Sequence, residues 1–248
     1  MSLRDYYRRV AEWQRPGSLI SRRVQKAALL FQRHLKAPQR LLDIGCGTGQ
    51  ITIYLQHKLN ARDAFGVDIA EGNIDKAKEQ GVKALLCDLN HEQLPFEDSF
   101  FDAVFGGEII EHVINPDHLL QEVRRTLTRD GVAVFTTPNL ASWYNRIVLL
   151  LGWQPLDSGT SFDHDVGRPG FLRFGEGGTE HLRTWTLRAL KELMDINGLK
   201  VVNVAAAPTK EGERKIGFAI RLVGVLDGIM TLRPSLGARL IVAATRKE

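Results

Sequence analysis

The feature that most constrains the fold is an apolar strand that runs into an acid and then into a loop with glycine at every second position. It occupies residues 41–49, which read LLDIGCGTG. Glycine has no Cβ, so such a loop can take positive φ values and its main chain can come within hydrogen-bonding distance of a ligand. Loops of this kind follow the first strand of parallel α/β sheets. The stretch therefore predicts an α/β sheet with a nucleoside-type ligand at the loop.

The spacing of these glycines differs from that of a dinucleotide site. A dinucleotide fingerprint has its third glycine three positions after the second, whereas Gln50 stands three positions after Gly47. An NAD-dependent oxidoreductase is therefore disfavoured, although it stays open as an alternative. The Asp-x-Gly-x-Gly-x-Gly pattern instead resembles motif I of class I S-adenosylmethionine-dependent methyltransferases. That resemblance implies cofactor contacts from Asp43, Gly45, Cys46, Gly47 and Gly49.

A second acid, Asp68, ends the next apolar stretch and lies 19 residues after Gly49. That interval fits one helix and a return to a parallel strand. An acid at this place can accept hydrogen bonds from two ribose hydroxyls of the cofactor. The alternative is that Asp68 caps the next helix. Ile69, the following residue, either packs on the adenine face or is an ordinary core residue.

A third acid, Asp88, ends the third predicted strand. In the methyltransferases that the chain resembles, the residue at this place binds the adenine amino group, and the next main-chain amide, here that of Leu89, contacts the ring. The resemblance continues through residues 93–105, where a Leu-Pro-Phe turn and a Phe-Asp pair precede a strand, and it is collinear from Leu41 to Pro138. The chain is similar to the ubiquinone-biosynthesis O-methyltransferases and to the type 11 and type 23 methyltransferases.

The resemblance implies an α/β fold with a doubly wound, Rossmann-like sheet of seven strands, mostly parallel with an antiparallel last strand, and helices on both faces. A chain of 248 residues with 44% hydrophobic residues fits one such domain. We expect basic N-terminal cap helices (1–36), a cofactor-binding half (37–137), a lid or substrate insertion (138–184) and the C-terminal half of the sheet (185–248). Helices are predicted over 187–197 and 216–232, and strands over 201–205 and 240–245.

The stretch Glu108-Ile-Ile-Glu-His112 follows the fourth predicted strand, where the cleft of a doubly wound sheet opens. If it begins a helix, its two glutamates and its histidine project together. The arrangement resembles ubiquinone-biosynthesis O-methyltransferases and small-RNA 3′-terminal 2′-O-methyltransferases, in which the matching residues are implicated in metal binding. His181 stands where the RNA enzymes carry a further histidine. The candidate ligands of a divalent metal are Glu108, Glu111, His112 and His181.

A role without metal stays open for the same residues. The two glutamates could bond backbone amides while His112 lines the pocket. His112 and His181 are also the candidates for a general base, because imidazole titrates near neutrality and can take a proton from an attacking hydroxyl. Glu108 is a further candidate. Methyl transfer is an in-line displacement, so the protein contributes mainly alignment and the exclusion of water.

The charge of the chain is polarised. Residues 1–36 hold nine lysines and arginines against two acids, a net charge of +7, while the whole chain carries +4. The apolar side chains of residues 18–36 fall on one helical face, which predicts a helix packed on the sheet. Its basic side is either a solvated face or a surface for an acidic substrate, anionic lipid or RNA. Two cysteines and no apolar N-terminal segment favour a cytoplasmic protein.

The insertion over residues 138–184 is too long for an ordinary loop and predicts a substrate lid. Its apolar stretch at 142–151 is too short to span a bilayer. That stretch could cover an apolar acceptor, contact a membrane surface, form an interface between two subunits or pack on the core. Arg168 and Arg173 could bind a carboxylate or phosphate of the acceptor.

Together these patterns favour an S-adenosylmethionine-dependent methyltransferase acting on a hydroxyl of a small or lipid-linked acceptor. RNA 2′-O-methylation is an alternative, since nucleic acid is not excluded. A cofactor-binding protein without catalysis and an NAD-dependent oxidoreductase are two others. The acceptor, the need for a metal and the oligomeric state are not set by the sequence.

Overall fold

The computed structural model describes residues 20–161, 164–168, 170, 181–209 and 218–247. Residues 1–19 of the predicted N-terminal cap, and Arg173, lie outside this part of the chain. The strands within it are β1 Arg40–Ile44, β2 Asp63–Asp68, β3 Lys83–Leu86, β4 Phe101–Gly107, β5 Leu127–Pro138, β6 Leu199–Ala207 and β7 Arg239–Arg246. The helices are α1 Arg22–His34, α2 Gln50–Leu59, α3 Glu71–Glu79, α4 Pro116–Thr126, α5 Trp143–Leu150, α6 Leu187–Ile196 and α7 Phe218–Met230.

The seven strands form one sheet in the order β3-β2-β1-β4-β5-β7-β6. The pairs from β3 to β5 are parallel, and β7 inserts antiparallel between β5 and β6. β4 lies at the centre, and in its neighbour β1 the side chains of Leu41, Leu42 and Ile44 are fully buried because both faces of the sheet are covered. The predicted doubly wound fold with an antiparallel last strand is confirmed. The carboxyl ends of β1, β2 and β4 meet at one edge of the sheet.

Helices cover both faces of the sheet. On one face α1 and α2 bury apolar side chains, among them Phe31 and Leu55. On the other face α4 and α6 do the same with Leu120 and Met194. The apolar stripe of α1 explains its place, because burying such a face against a sheet stabilises the helix more than its own propensity does. This layering leaves the carboxyl edge of the strands open for a site.

The insertion after β5 contains α5, and its two ends lie together. Asn139 and Trp185 form an isolated bridge, and the Leu140 amide donates to the Trp185 carbonyl at 2.9 Å. The Asn139 amide also donates to the Ala238 carbonyl next to β7, at 2.9 Å. Among the described helices, none is long and apolar enough to cross a membrane.

Candidate active site

The glycine loop after β1 has the backbone that its sequence predicts. Gly45, Gly47 and Gly49 have φ values of 73°, 53° and 83°, in the left-handed region that glycine tolerates. Space is also limited, because a Cβ on Gly49 would lie 3.1 Å from the Ala77 Cα in α3. A Cβ on Gly45 would lie 3.1 Å from Cδ1 of Ile109, in the segment after β4. The loop is therefore closely packed on two sides and open at the carboxyl edge of the sheet.

Asp68 holds the glycine loop to the start of α3. Its Oδ2 accepts the Gly47 amide at 2.9 Å, and its Oδ1 accepts the Ala70 amide at 2.9 Å and the Asn73 side-chain amide at 3.3 Å at the start of α3. A carboxylate offers about four lone-pair sites. Three are used here, so one remains for a ribose hydroxyl without rearrangement. The carboxylate joins the glycine loop to α3, and its ribose contact stays a prediction.

Asp43 and Cys46 lie beneath the loop rather than on its open side. Asp43 is 2% exposed and accepts the Thr52 hydroxyl from α2 at 2.6 Å. Burial raises the pKa of Asp43 to about 7. The Cys46 thiol is also buried, and burial raises its pKa. These two residues therefore support the loop from inside the sheet.

Asp88, Leu89 and Ile69 follow the carboxyl ends of β3 and β2, as predicted. Asp88 accepts the Asn90 amide at 3.1 Å, and its other carboxylate oxygen lies 3.1 Å from Nδ1 of His91. Leu89 and Ile69 are half-buried. Half-buried apolar side chains beside an acid suit an aromatic ring with an amino group, which is the role predicted for this group of residues.

The segment 108–112 is a turn and not the start of a helix, which corrects the predicted geometry. Glu108 has a φ of 55°, and its amide donates to the Thr136 carbonyl at 2.9 Å, so it still belongs to the sheet edge. Two arginines from distant elements hold its carboxylate, with Arg239 Nε at 3.3 Å and Arg23 Nη1 at 3.7 Å. Glu108 therefore does not join the other predicted metal ligands.

The other three predicted ligands do lie together. One ligand atom from each of Glu111, His112 and His181 lies within 4.8 Å of the others. The histidine rings meet edge to face, with centroids 5.0 Å apart. The Glu111 carbonyl accepts the amides of Leu182 and Arg183, at 2.9 and 3.2 Å. Those two bonds explain how residues so far apart in the sequence come together.

Glu111 is fully buried. Its Oε2 accepts the Thr137 hydroxyl at 2.9 Å, while its Oε1 has no hydrogen-bond partner among the described residues. Burial, reinforced by the nearby charge of Glu108, raises the pKa of Glu111 well above its usual range. The neutral acid is thereby favoured beside the two imidazoles.

His181 is held in one tautomer by the main chain of the insertion. Its Nδ1 lies 2.7 Å from the Asp157 carbonyl oxygen. A carbonyl can only accept, so Nδ1 carries the hydrogen, and the neutral ring then has its lone pair on Nε2. That nitrogen can accept a proton or bind a metal. The Asp157 carbonyl thus fixes both the tautomer and the orientation of the His181 ring.

Three residues that the sequence did not predict organise this corner of the site. Arg239 at the start of β7 donates from Nη1 to Asp157 at 2.9 Å, in addition to its contact with Glu108. The Tyr144 hydroxyl in α5 donates to the other Asp157 oxygen at 2.9 Å. Burial opposes the charge of Arg239, but Glu108 and Asp157 outweigh it and raise the pKa. No motif marks Asp157, Tyr144 or Arg239, so only their contacts reveal them.

Arg168, predicted as a ligand for an anionic acceptor, lies inside the insertion. Its guanidinium donates to Asp165 at 2.7 Å and to the carbonyls of Pro155 and Ser158, both at 2.9 Å. Its side chain is 1% exposed. These contacts fix the path of the insertion on either side of Asp157, so Arg168 acts on the fold of the lid.

Comparison with known proteins matches part of this chain to a protein family. A methyltransferase domain family matches residues 42–135. The chain is 34% identical over 154 residues to a ubiquinone biosynthesis O-methyltransferase of Maricaulis maris, covering 56% of this chain and 58% of that protein. It is 31% identical over 128 residues to a sarcosine/dimethylglycine N-methyltransferase of Halorhodospira halochloris, covering 50% and 46%. The chain thus spans less than two thirds of the length of these curated relatives.

Solved structures share the fold over nearly the whole chain. A chain of the complex that contains the Haloferax volcanii Trm112 methyltransferase activator has a TM-score of 0.66 at 16% identity, and covers 100% of this chain and 98% of its own. An S-adenosylmethionine-dependent methyltransferase from Archaeoglobus fulgidus has a TM-score of 0.58 at 19% identity, covering 98% and 100%. Residues 42–135 thus carry a methyltransferase domain, and the chain as a whole has the fold of these solved S-adenosylmethionine-dependent methyltransferase structures.

Proposed function

We propose that this chain transfers the methyl group of S-adenosylmethionine to a hydroxyl of a small or lipid-linked acceptor. The observation that carries the proposal is His181, whose Nδ1 hydrogen is taken by the Asp157 carbonyl and whose Nε2 is left to accept a proton. Ile109 packs on Gly45 three residues before His112, so the segment that carries the neighbour of His181 starts at the glycine loop. A proton acceptor next to a methyl donor is the combination that O-methylation needs.

The cofactor supplies a methyl group on a sulfonium sulfur. The glycine loop and Asp68 would hold its amino-acid and ribose portions, and Asp88 with Leu89 its adenine. His181, with His112 beside it, would take the proton as the acceptor oxygen forms its bond to the methyl carbon and the bond from carbon to sulfur breaks. The buried corner around Glu111 excludes water and aligns the acceptor, which is the main catalytic contribution in such a displacement.

A second candidate role for the cluster is to bind a divalent cation. Three donors lie within 4.8 Å of one another, and Glu111 Oε1 is buried without a partner among the described residues. Those three fit a metal with two nitrogen ligands and one oxygen ligand. Glu108 does not fit, because Arg23 and Arg239 hold its carboxylate. If bound, a cation would supply polarisation of the acceptor oxygen.

We further propose a cytoplasmic setting, which the state of the two cysteines supports. Cys46 and Cys87 are free and buried in different parts of the cofactor half. A chain that uses its cysteines in this way needs no oxidising compartment. We place the reaction in the cytoplasm on that ground.

The experiment that tests the proposal incubates the chain with methyl-labelled S-adenosylmethionine and a fractionated cell extract. We expect label in the organic-soluble or small-molecule fraction, strongly reduced by Asp68→Ala and by His181→Ala. Label in the polymer fraction would instead favour RNA 2′-O-methylation. Binding of NAD without binding of adenosylhomocysteine would favour an oxidoreductase, and cofactor binding with no label in any fraction would favour a non-catalytic protein.

The roles of base and metal are separated by a second pair of measurements. If His181 acts as a base without metal, activity survives prolonged dialysis against a chelator, and elemental analysis of the untreated protein finds no stoichiometric metal. If the cluster holds a metal, the same dialysis abolishes activity, and a stoichiometric transition metal is found by elemental analysis of the untreated protein. The variant Glu111→Gln should then lose the metal.

A further inference from the structure

Large apolar side chains are exposed together on two helices. On α5 and the turn after it they are Ile147, Leu149, Leu150, Leu151 and Trp153, with Leu150 87% exposed. On α7 and the turn after it they are Val225, Leu226, Ile229 and Leu232, with Leu232 80% exposed. We call these nine side chains the apolar patch. Exposed apolar groups of this size and density mark a surface that is covered in use.

The two halves of the patch belong to elements in direct contact. The Trp143 indole nitrogen at the start of α5 donates to Asp227 of α7 at 3.1 Å. Its amide donates to the Leu236 carbonyl, after the turn that carries Leu232, at 2.9 Å. On α5, Ile147 lies one turn and Leu150 two turns beyond Trp143 on the same helical face. These bonds of Trp143 therefore hold the two helices that carry the patch against each other.

The exposed charges within the described residues of the patch have one sign. In the sequence, Arg146 is the only charged residue from 143 to 153, and from 224 to 236 the charged residues are Asp227 and Arg233. Both arginines are exposed. Asp227 is 5% exposed and its carboxylate is taken by Trp143 and by the Thr209 amide at 2.6 Å. The surface is thus apolar with exposed positive charge at its edges.

We propose that the apolar patch docks this protein on the surface of a lipid bilayer that contains anionic lipids. Proteins bind such a bilayer surface by inserting apolar side chains at the level of the headgroups. Arginines at the edge of the inserted surface pair with lipid phosphates. A second copy of the chain fits less well, because a twofold contact would bring the arginines of both copies together with no exposed acid of the patch opposite them. The proposal concerns binding alone and does not depend on the proposed reaction.

The position of the patch also suits a membrane-bound acceptor. Tyr144, on the same helix as Leu150, donates to Asp157, and the Asp157 carbonyl holds His181. One short helix thus carries a proposed lipid contact on its exposed side and a contact of the active site on its inner side. An acceptor with a lipid tail would reach the site from the bilayer surface.

The test is co-sedimentation of the full chain with vesicles of neutral phosphatidylcholine and with vesicles containing phosphatidylglycerol. We expect binding to the anionic vesicles that weakens with salt. The double variant I147D/L150D should weaken vesicle binding at least about tenfold, since burial of one leucine-sized side chain raises the partition coefficient by about that factor. The double variant R146E/R233E should also weaken it, by about fivefold or more per residue. Ile196→Asp, which changes a 73% exposed isoleucine at the end of α6, is the matched control and should bind as the parent does.

Three outcomes would overturn the proposal. They are no sedimentation of the parent chain with anionic vesicles, equal loss in Ile196→Asp, and a stable dimer in solution that I147D/L150D converts to monomer. Circular dichroism and thermal unfolding establish that each variant is folded. Because R146E/R233E changes only exposed polar groups, it keeps the test decisive if I147D/L150D fails to fold. Binding measured without cofactor separates a failure here from a failure of the proposed reaction.

Discussion

The substitution Asp157→Asn removes the charge that lies between Arg239 and Tyr144 without changing the size of the side chain. The Asp157 and Arg239 side chains are only 13% and 16% exposed, and the bond between them is 2.9 Å long. A hydrogen bond to a charged group contributes about 1.5–3 kcal/mol. The asparagine oxygen can still accept from one partner, so we expect the free energy of unfolding to fall by about 1.5–3 kcal/mol.

The effect on catalysis follows from the main chain of the same residue. The Asp157 carbonyl fixes the His181 ring, and the side-chain contacts fix the carbonyl. A displacement of about 1 Å at a catalytic group can cost about a hundredfold in rate. We therefore expect kcat to fall by about ten- to a hundredfold. The affinity for adenosylhomocysteine should stay unchanged, because the glycine loop belongs to other elements.

Urea unfolding, initial rates across neutral pH and titration calorimetry with adenosylhomocysteine measure the three quantities. Glu122→Gln is the matched control, because Glu122 and Arg125 form a partly buried pair at 2.7 Å on α4. It should lose stability while kcat stays at the parent value. If Asp157→Asn loses stability but keeps kcat and its pH profile, the argument that Asp157 positions the base is wrong.

Three further predictions concern the cofactor half. The pKa of Asp43 is about 7 in the folded state against 3.8 for the ordinary group, so the folded state binds the proton more tightly and stability falls as pH rises from about 4 to about 7. Asp43→Asn should flatten that dependence in urea unfolding, and an unchanged slope would contradict it. Gly49→Ala, at a φ of 83° and with Val82 Cγ2 3.0 Å from the new Cβ, should cost about 1–2 kcal/mol of stability and weaken cofactor binding in calorimetry. Burial raises the pKa of Cys87 to about 12 and also raises the pKa of Cys46. Both thiols should therefore react with a disulfide reagent only when the chain unfolds. Prompt reaction of the folded chain would contradict this prediction, because it would show that the thiols are accessible.

The fold and the cofactor half were predictable because their signals are local. A strand that ends in an acid and a glycine needs only a short run of sequence to be recognised, and Asp68 and Asp88 follow the carboxyl ends of their strands as expected. The wrong geometry at residues 108–112 has a long-range cause. The carboxylate of Glu108 forms ion pairs with Arg23 and Arg239, which lie 85 and 131 positions from it in the sequence.

The catalytic corner was predictable only in part. His112 and His181 were expected to act together, and the structure places their rings side by side. Asp157 was not expected, because its contribution combines a main-chain carbonyl with a side-chain contact to another element. Neither of these has a signature in sequence spacing. Whether these residues carry catalysis stays a prediction.

The bridge between Asn139 and Trp185 has a consequence for how such a protein can change. Because the two ends of the insertion are fastened to each other, the distance between those ends stays the same whatever the number of residues between them. Doubling a loop of this kind costs only about 0.6 kcal/mol in closure entropy. Residues can thus be added, lost or exchanged between those two anchors without disturbing the glycine loop. Descendants of one cofactor-binding half could in this way acquire different acceptors.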